Sequence, residues 1–411
     1  MALAALISAT KEAEDGSGLA ATLPVAGRAL IERQARLAAR AGARHIVLLV
    51  ERLPAALTAA VDRLRRGGIR VEVARSVADA ADHIHPEEHV LLFADGAMAE
   101  EPLVLRVAAA QAPALLVGEE SAETRHWERL DAAQRWAGLA LIDGNTLRHT
   151  AVRLGEWDLP ATLVRQAVSA GARRLGLADG ADTGRVPLAM IVLAQSDAEA
   201  VDARMLAPPK QATGGAGWPS HYLFPLLSRA LVPWLAVRSV EPMALRLLAL
   251  LLDIAALPAL VFDWWKTALA LVIVAAPIEA IGVGLATVRL QSAAVGDRIG
   301  VVRQTLLAVA ILLLGWRLFH AGGGWGSLLL AGVLVATMIA LALARRIATN
   351  LDTPVAVWPA DADAIAWLLV PAAAADFWAT GLGIALAYAY VSLFAIEAMF
   401  ARRDETSLGR V

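Results

Sequence analysis

Pro277-Ile-Glu-Ala-Ile-Gly-Val-Gly-Leu-Ala-Thr-Val-Arg-Leu-Gln-Ser-Ala-Ala-Val-Gly-Asp-Arg-Ile-Gly-Val-Val-Arg-Gln304 leaves one strongly apolar segment, crosses a short basic loop and enters the next. Glu279 reads as the carboxylate at membrane depth, because Asp297 falls in the polar loop. An ionisable group at that depth costs a few kcal/mol and marks a functional position by default. The bland alternatives are a side chain that snorkels to the interface or one paired with an arginine.

Around this stretch the apolar mass is unevenly spread. The chain has 411 residues, 58% of them hydrophobic, with a mean hydropathy of +0.57, above the range of ordinary soluble proteins. Residues 1 to 210 read as an Ala- and Arg-rich globular domain, and the excess lies beyond Leu223. Leu245–Phe262, Ala268–Val288, Thr305–Phe319, Leu328–Ala344, Ala364–Ala375 and Leu382–Phe400 are apolar stretches that with their flanks approach the ~20 residues of a membrane span. Arginines mark alternate connections: Arg289, Arg298 and Arg303, then Arg345 and Arg346, then Arg402 and Arg403. By the positive-inside rule this predicts a multi-pass protein of the cytoplasmic (inner) membrane with both termini cytoplasmic. A net charge of -2 implies no general attraction to nucleic acid, and the lack of cysteine excludes disulfides and thiolate chemistry. The N-terminus has no basic region before its apolar run and reads as a buried first strand, not a signal peptide.

The first half alternates apolar runs with helical spacing, which predicts an α/β, Rossmann-like domain with a parallel sheet. Ala4–Ala9, His45–Val50, Ile69–Val73 and His89–Ala94 read as strands; Pro54–Arg66 and Val77–His83 read as helices. A further helix is expected around Thr124–Trp136, with Ala137–Gly144 as another strand. Asp95 ends a strand ahead of Gly96 and is a candidate metal ligand, or else a turn residue. His83, His85 and His89 fall close together but flank Pro86-Glu-Glu, as in a solvated loop. Ala207–Pro219, rich in Pro and Gly, reads as a boundary, and the aromatic, Arg-bearing segment after it suits a helix in the membrane interface. The domain limits expected are 1–206, 207–244 for linker and juxtamembrane helix, 245–402 for the spans and 403–411 for a tail.

Leu23-Pro-Val-Ala-Gly-Arg-Ala-Leu-Ile-Glu-Arg, followed by a strand, a helix and an acidic strand end, resembles the nucleotide-sugar pyrophosphorylases, above all the branch that makes CDP-activated inositol phosphate. The resemblance implies a glycine-rich loop whose backbone N–H groups cradle a nucleotide triphosphate. Here that loop is Ala9–Thr22. Lys11, Gly16 and Gly18 are its cofactor-binding candidates; Glu12, Glu14 and Asp15 would repel a triphosphate. Asp197 stands near the place where the family has a second metal carboxylate.

Six spans behind a juxtamembrane helix resemble the CDP-alcohol phosphotransferases, and the domain order matches their fused forms. Lys210, Thr213, Gly215, Ser228 and Arg229 echo the fused enzymes' join. That family's motif is D-x2-D-G-x2-A-R-x8-G-x3-D-x3-D, whose four aspartates hold divalent metal. With Ala286 and Gly296 on the motif's Ala and Gly, Glu279 falls on the first Asp. Gly282, Gly300 and Gln304 fall on the other three, Val283 on the motif Gly and Thr287 on the Arg. One Glu and one Gln cannot neutralise two divalent cations or deprotonate an alcohol efficiently. The resemblance thus implies a relative without the working transferase site, binding a membrane lipid, a CDP-linked head group or an active partner enzyme. A homodimer is implied by analogy alone. The alternatives are an active transferase using Mg2+ or Mn2+ with Glu279 and Asp297 in altered roles, and a small-molecule transporter.

Overall fold

The computed structural model describes residues 2–121, 123–154, 158–179, 186–205, 217–238, 240–291, 293–350 and 358–408. The chain divides into two compact units, Met1–Met205 and Leu206–Val411.

The first unit runs β1 (Leu3–Ser8), β2 (Pro24–Val25), β3 (Arg28–Ala29), α1 (Leu30–Arg40), β4 (Ala43–Leu49), α2 (Ala55–Arg66) and β5 (Val71–Ala74). It continues with α3 (Val77–Asp82), β6 (His89–Phe93), β7 (Ala97–Ala99), α4 (Glu101–Ala108), β8 (Ala114–Glu119), β9 (Glu128–Arg129) and β10 (Gln134–Asp143). Then come α5 (Gly144–Leu154), α6 (Leu159–Ser169), β11 (Arg173–Gly176), β12 (Ala189–Ile191) and α7 (Gln195–Met205). β11-β8-β10-β6-β1-β4-β5 form one sheet, with β9 against β10. β1, β4, β5 and β6 are parallel; the apolar runs of β1, β4 and β6 are buried on both faces, whereas β5, the edge strand, carries Glu72 and is only partly buried.

The sheet is mixed, not purely parallel, because β10 runs antiparallel to both β6 and β8. Gly138, at a φ of 79°, breaks the β10–β8 register and lets the strand approach Ile191 and Ala97 of the small β7–β12 sheet. The helix expected over Thr124–Trp136 is absent. The segment is a turn followed by β9 and the start of β10, and Trp127 and Trp136 are buried. Trp127 closes the turn before β9 and packs on Gly118, whereas Trp136 enters the sheet core from β10.

The second unit contains α8 (Phe224–Val237), α9 (Pro242–Val261), α10 (Trp265–Val288), α11 (Ala293–Leu318), α12 (Gly324–Asn350), α13 (Ala362–Ala374) and α14 (Trp378–Leu408). Among the described residues, four stretches are long and apolar enough to cross a membrane: Pro242–Val261, Trp265–Val288, Arg298–Ile347 and Trp378–Phe400. The third covers α11 and α12, which turn at Phe319–Gly323, where Gly322 is left-handed, and pack on each other with Gly315 against Ala331. α13 has only 13 residues, short of a hydrocarbon core of about 30 Å at about 1.5 Å per residue. Only 28–44% of each apolar window is buried within the chain, so most of that surface faces outward, Phe394, Leu329 and Leu251 among it.

Two left-handed aspartates, Asp263 and Asp376, end α9 and α13 at the same end of this bundle. Asp263 pairs with Arg317, and Asp376 with Lys266 at 2.8 Å; each partner holds its carboxyl below the usual range. The Trp265 and Trp378 rings meet edge to face between them.

Candidate functional site

The parallel strands deliver their carboxyl ends to the loop over residues 9–22, the usual ligand edge of such a sheet. Gly16 and Gly18 take positive φ, and a bridge from Glu12 to Leu19 folds the loop on itself. Asp95, just past β6, is buried, and its carboxylate is satisfied within the chain. The Ser8 hydroxyl donates to it, as do the Thr10 and Lys11 backbone N–H groups at 2.6 and 2.9 Å and the Thr10 hydroxyl at 3.2 Å. The loop donors suited to a phosphate therefore point at a protein carboxylate.

The other charges of this loop are engaged as well. Glu12 pairs with Arg52. Asp15 receives Ser17 N–H at 2.9 Å and Gln195 N–H at 2.8 Å, and the Ser17 side-chain bond leads in holding its carboxyl below the ordinary range. Lys11 has an exposed side chain. Asp197 accepts from Leu193 and Ala194 N–H at 3.0 Å, which closes the turn into α7. Loop and strand end meet here, but through internal hydrogen bonds.

In the helical unit, Glu279 on α10 is buried and pairs with Arg246 of α9: Nε and Nη2 donate to Oε1 at 2.9 and 2.7 Å. The arginine stem crosses Gly282, where an added Cβ would lie 2.8 Å from Arg246 Cγ. The position aligned with a motif aspartate is thus covered by a cation from the neighbouring helix.

Glu279 is not the sole carboxylate at depth. Asp253, buried in the middle of α9, accepts from Arg303 Nε of α11 at 2.6 Å, and Arg303 Nη2 lies 3.8 Å from Asp363 of α13. Glu279 is within electrostatic reach of Asp253 and Arg303. Four helices therefore meet around three carboxylates and two guanidiniums. The sequence motifs do not single out Arg246, Asp253 or Asp363, and Arg303 stands in them only as a marker of sidedness. Arg246 and Asp253 stand seven residues apart on one helical face inside an apolar run, which is the signal that identifies them.

Asp297 lies on the opening turns of α11, not in a loop, and its side chain is outside the described residues. Lys210, Thr213 and Gly215 also fall outside them, as does the Arg229 side chain. Arg289 and Arg345, read as sidedness markers, donate to the carbonyls of Val240 and Pro359. Among the described residues no three His, Asp or Glu side chains are placed to hold one metal ion.

No family model and no curated relative matches the chain. Among solved structures, a chain described as a glucose-1-phosphate thymidylyltransferase of Bacillus anthracis in complex with sucrose is 10% identical; the match covers 51% of this chain and 98% of that one, with a TM-score of 0.38. The chain joins a mixed α/β unit to a helical unit that has stretches long and apolar enough to cross a membrane.

Proposed function

We propose that this is a six-pass membrane protein of the CDP-alcohol phosphotransferase lineage, fused to a nucleotidyltransferase-like domain, that carries out no metal-dependent transfer. It acts by binding a lipid, a CDP-linked head group or an active partner enzyme of head-group synthesis. α13 serves as a short pass, the arginine-rich ends face the cytoplasm, and the protein works as a homodimer.

The observation that carries this reading is that arginine stands where the family places metal. A divalent cation needs several oxygen ligands of net negative charge. Here Glu279 is neutralised by Arg246, and Asp253 and Asp363 share Arg303. That donor set does not fit Mg2+ or Mn2+: a dication beside two guanidiniums meets like-charge repulsion in a region of low dielectric. Asp95, held by the loop N–H groups, extends the same logic to the first unit.

The test is CMP release by the purified full-length protein in detergent, with CDP-diacylglycerol, Mg2+ or Mn2+ and a panel of alcohol phosphates. A Glu279→Ala variant runs alongside, with no partner enzyme present. No release with any acceptor is expected. Metal-dependent release that the variant loses would overturn the proposal and make Glu279 part of an active site.

A further inference from the structure

We propose that the cavity at the amino-terminal ends of β4, β5 and β6 binds a small phosphate-bearing anion. This site is independent of the membrane reading and stands if that reading fails. It lies at the edge of the sheet opposite Asp95, because Arg44 and His45 open β4, Arg70 precedes β5, and His85 and Glu88 precede β6. The cavity measures about 450 Å³ and is lined by three arginines drawn from separate parts of the chain, with Arg148 reaching in from α5.

Of the three, Arg148 is the one held in place. Arg148 Nε is fixed by the carbonyls of Ala81 and Ile84, both at 3.2 Å, which leaves its two terminal nitrogens for a ligand. Arg44 is exposed and has no partner among the described residues. Arg70 is braced by Glu72 at 2.7 Å. The His45 ring is held against the His83 carbonyl at 3.2 Å, and His83 is tethered to Glu72 at 2.7 Å and Asp79 at 3.4 Å. The opposing charges are Asp82, which is exposed, and Glu88, which receives the His85 N–H at 3.0 Å and lies 3.8 Å from His45 Nε2. Three guanidiniums thus face four carboxylates; Glu72 is taken up by Arg70 and His83, and Asp79 by His83, so Arg44 and the free end of Arg148 are the cations left to meet a ligand. Arginine forks match phosphate oxygens bidentately, and a cavity of this size holds a phosphorylated small molecule.

The same chemistry comes from a soluble phosphoester or a lipid head group, and two titrants separate them. Full-length protein in neutral detergent is titrated calorimetrically with inorganic pyrophosphate and with short-chain phosphatidate. The variants are Arg44→Ala/Arg70→Ala and, as a control outside the cavity, Arg165→Ala, each first checked for an unchanged melting temperature. Saturable binding is expected, weakened about tenfold or more in the double variant and unchanged in the control. Tighter pyrophosphate binding assigns the site to a soluble phosphoester, and tighter phosphatidate binding assigns it to a head group. Absence of saturable binding by both titrants, or an equal loss in the control, overturns the proposal.

Discussion

Arg246→Leu tests the centre of the helical unit most directly. The substitution removes both donors to Glu279 Oε1, at 2.9 and 2.7 Å, while Oε2 already has no hydrogen-bond partner. The carboxylate is 7% exposed, so water cannot replace the guanidinium cheaply. Breaking one side of a buried pair costs about 3–5 kcal/mol, because the remaining charge is left uncompensated. Glu279→Leu should cost a similar amount. Arg246→Leu/Glu279→Leu removes both charges and keeps apolar volume, and should cost far less than the sum. A coupling of at least about 2 kcal/mol is then expected from the cycle. Steric trapping of the full-length protein in bicelles measures each unfolding free energy. If Arg246→Leu costs under about 1 kcal/mol, or the double variant is additive, the pair is not the buried contact described and the argument from charge fails.

Asp95→Ala should destabilise the first unit by about 2–4 kcal/mol and speed amide exchange at Thr10 and Lys11, because those N–H groups lose their acceptor; unchanged exchange would mean the loop is held by other contacts. Asp202 is half-buried, and desolvation raises its carboxyl above the ordinary value of 3.8, although it accepts Ala26 N–H at 2.7 Å. A raised acid weighs against the fold wherever it is ionised. Asp202→Asn should therefore raise the melting temperature at neutral pH, with the gain fading as pH falls through the raised value towards 3.8; a gain that persists at pH 3 would show another cause. Because the chain lacks cysteine, single cysteines at Trp264 and Arg403 report sidedness without background. A membrane-impermeant maleimide applied to right-side-out vesicles should label only the first, and labelling of the second would reverse the topology.

The parts of the fold that were legible in the sequence are those governed by local pattern. β1, β4 and β6 stood out as apolar runs, and α2 as a helix over Pro54–Arg66. Strand direction was not legible: the apolar run of β10 is the same read parallel or antiparallel, and only pairing with β6 and β8 decides it. Glu279 was legible because a carboxylate among apolar neighbours is costly, and of the two bland alternatives the arginine partner is the one observed. The partner itself was not, since Arg246 stands 33 residues away on another helix. Asp253 was hidden by the high mean apolarity of its segment. A search for charges spaced by two helical turns finds it, whereas a search for uniform apolarity averages it away.

The Asp253–Arg303 pair also bears on how the protein is built in time. Asp253 lies near the middle of α9, and its partner is 50 residues further along the chain, on α11. A lone aspartate at the centre of an inserting helix costs about 2.5–3.5 kcal/mol. When α9 leaves the ribosome, neither Arg303 nor Glu279, the partner of its own Arg246, has emerged beside it. α9 thus gains its counter-charges only after α10 and the start of α11 have followed it. Its settled position in the bilayer comes with that group of helices, and the earliest span of this bundle is the one that must wait.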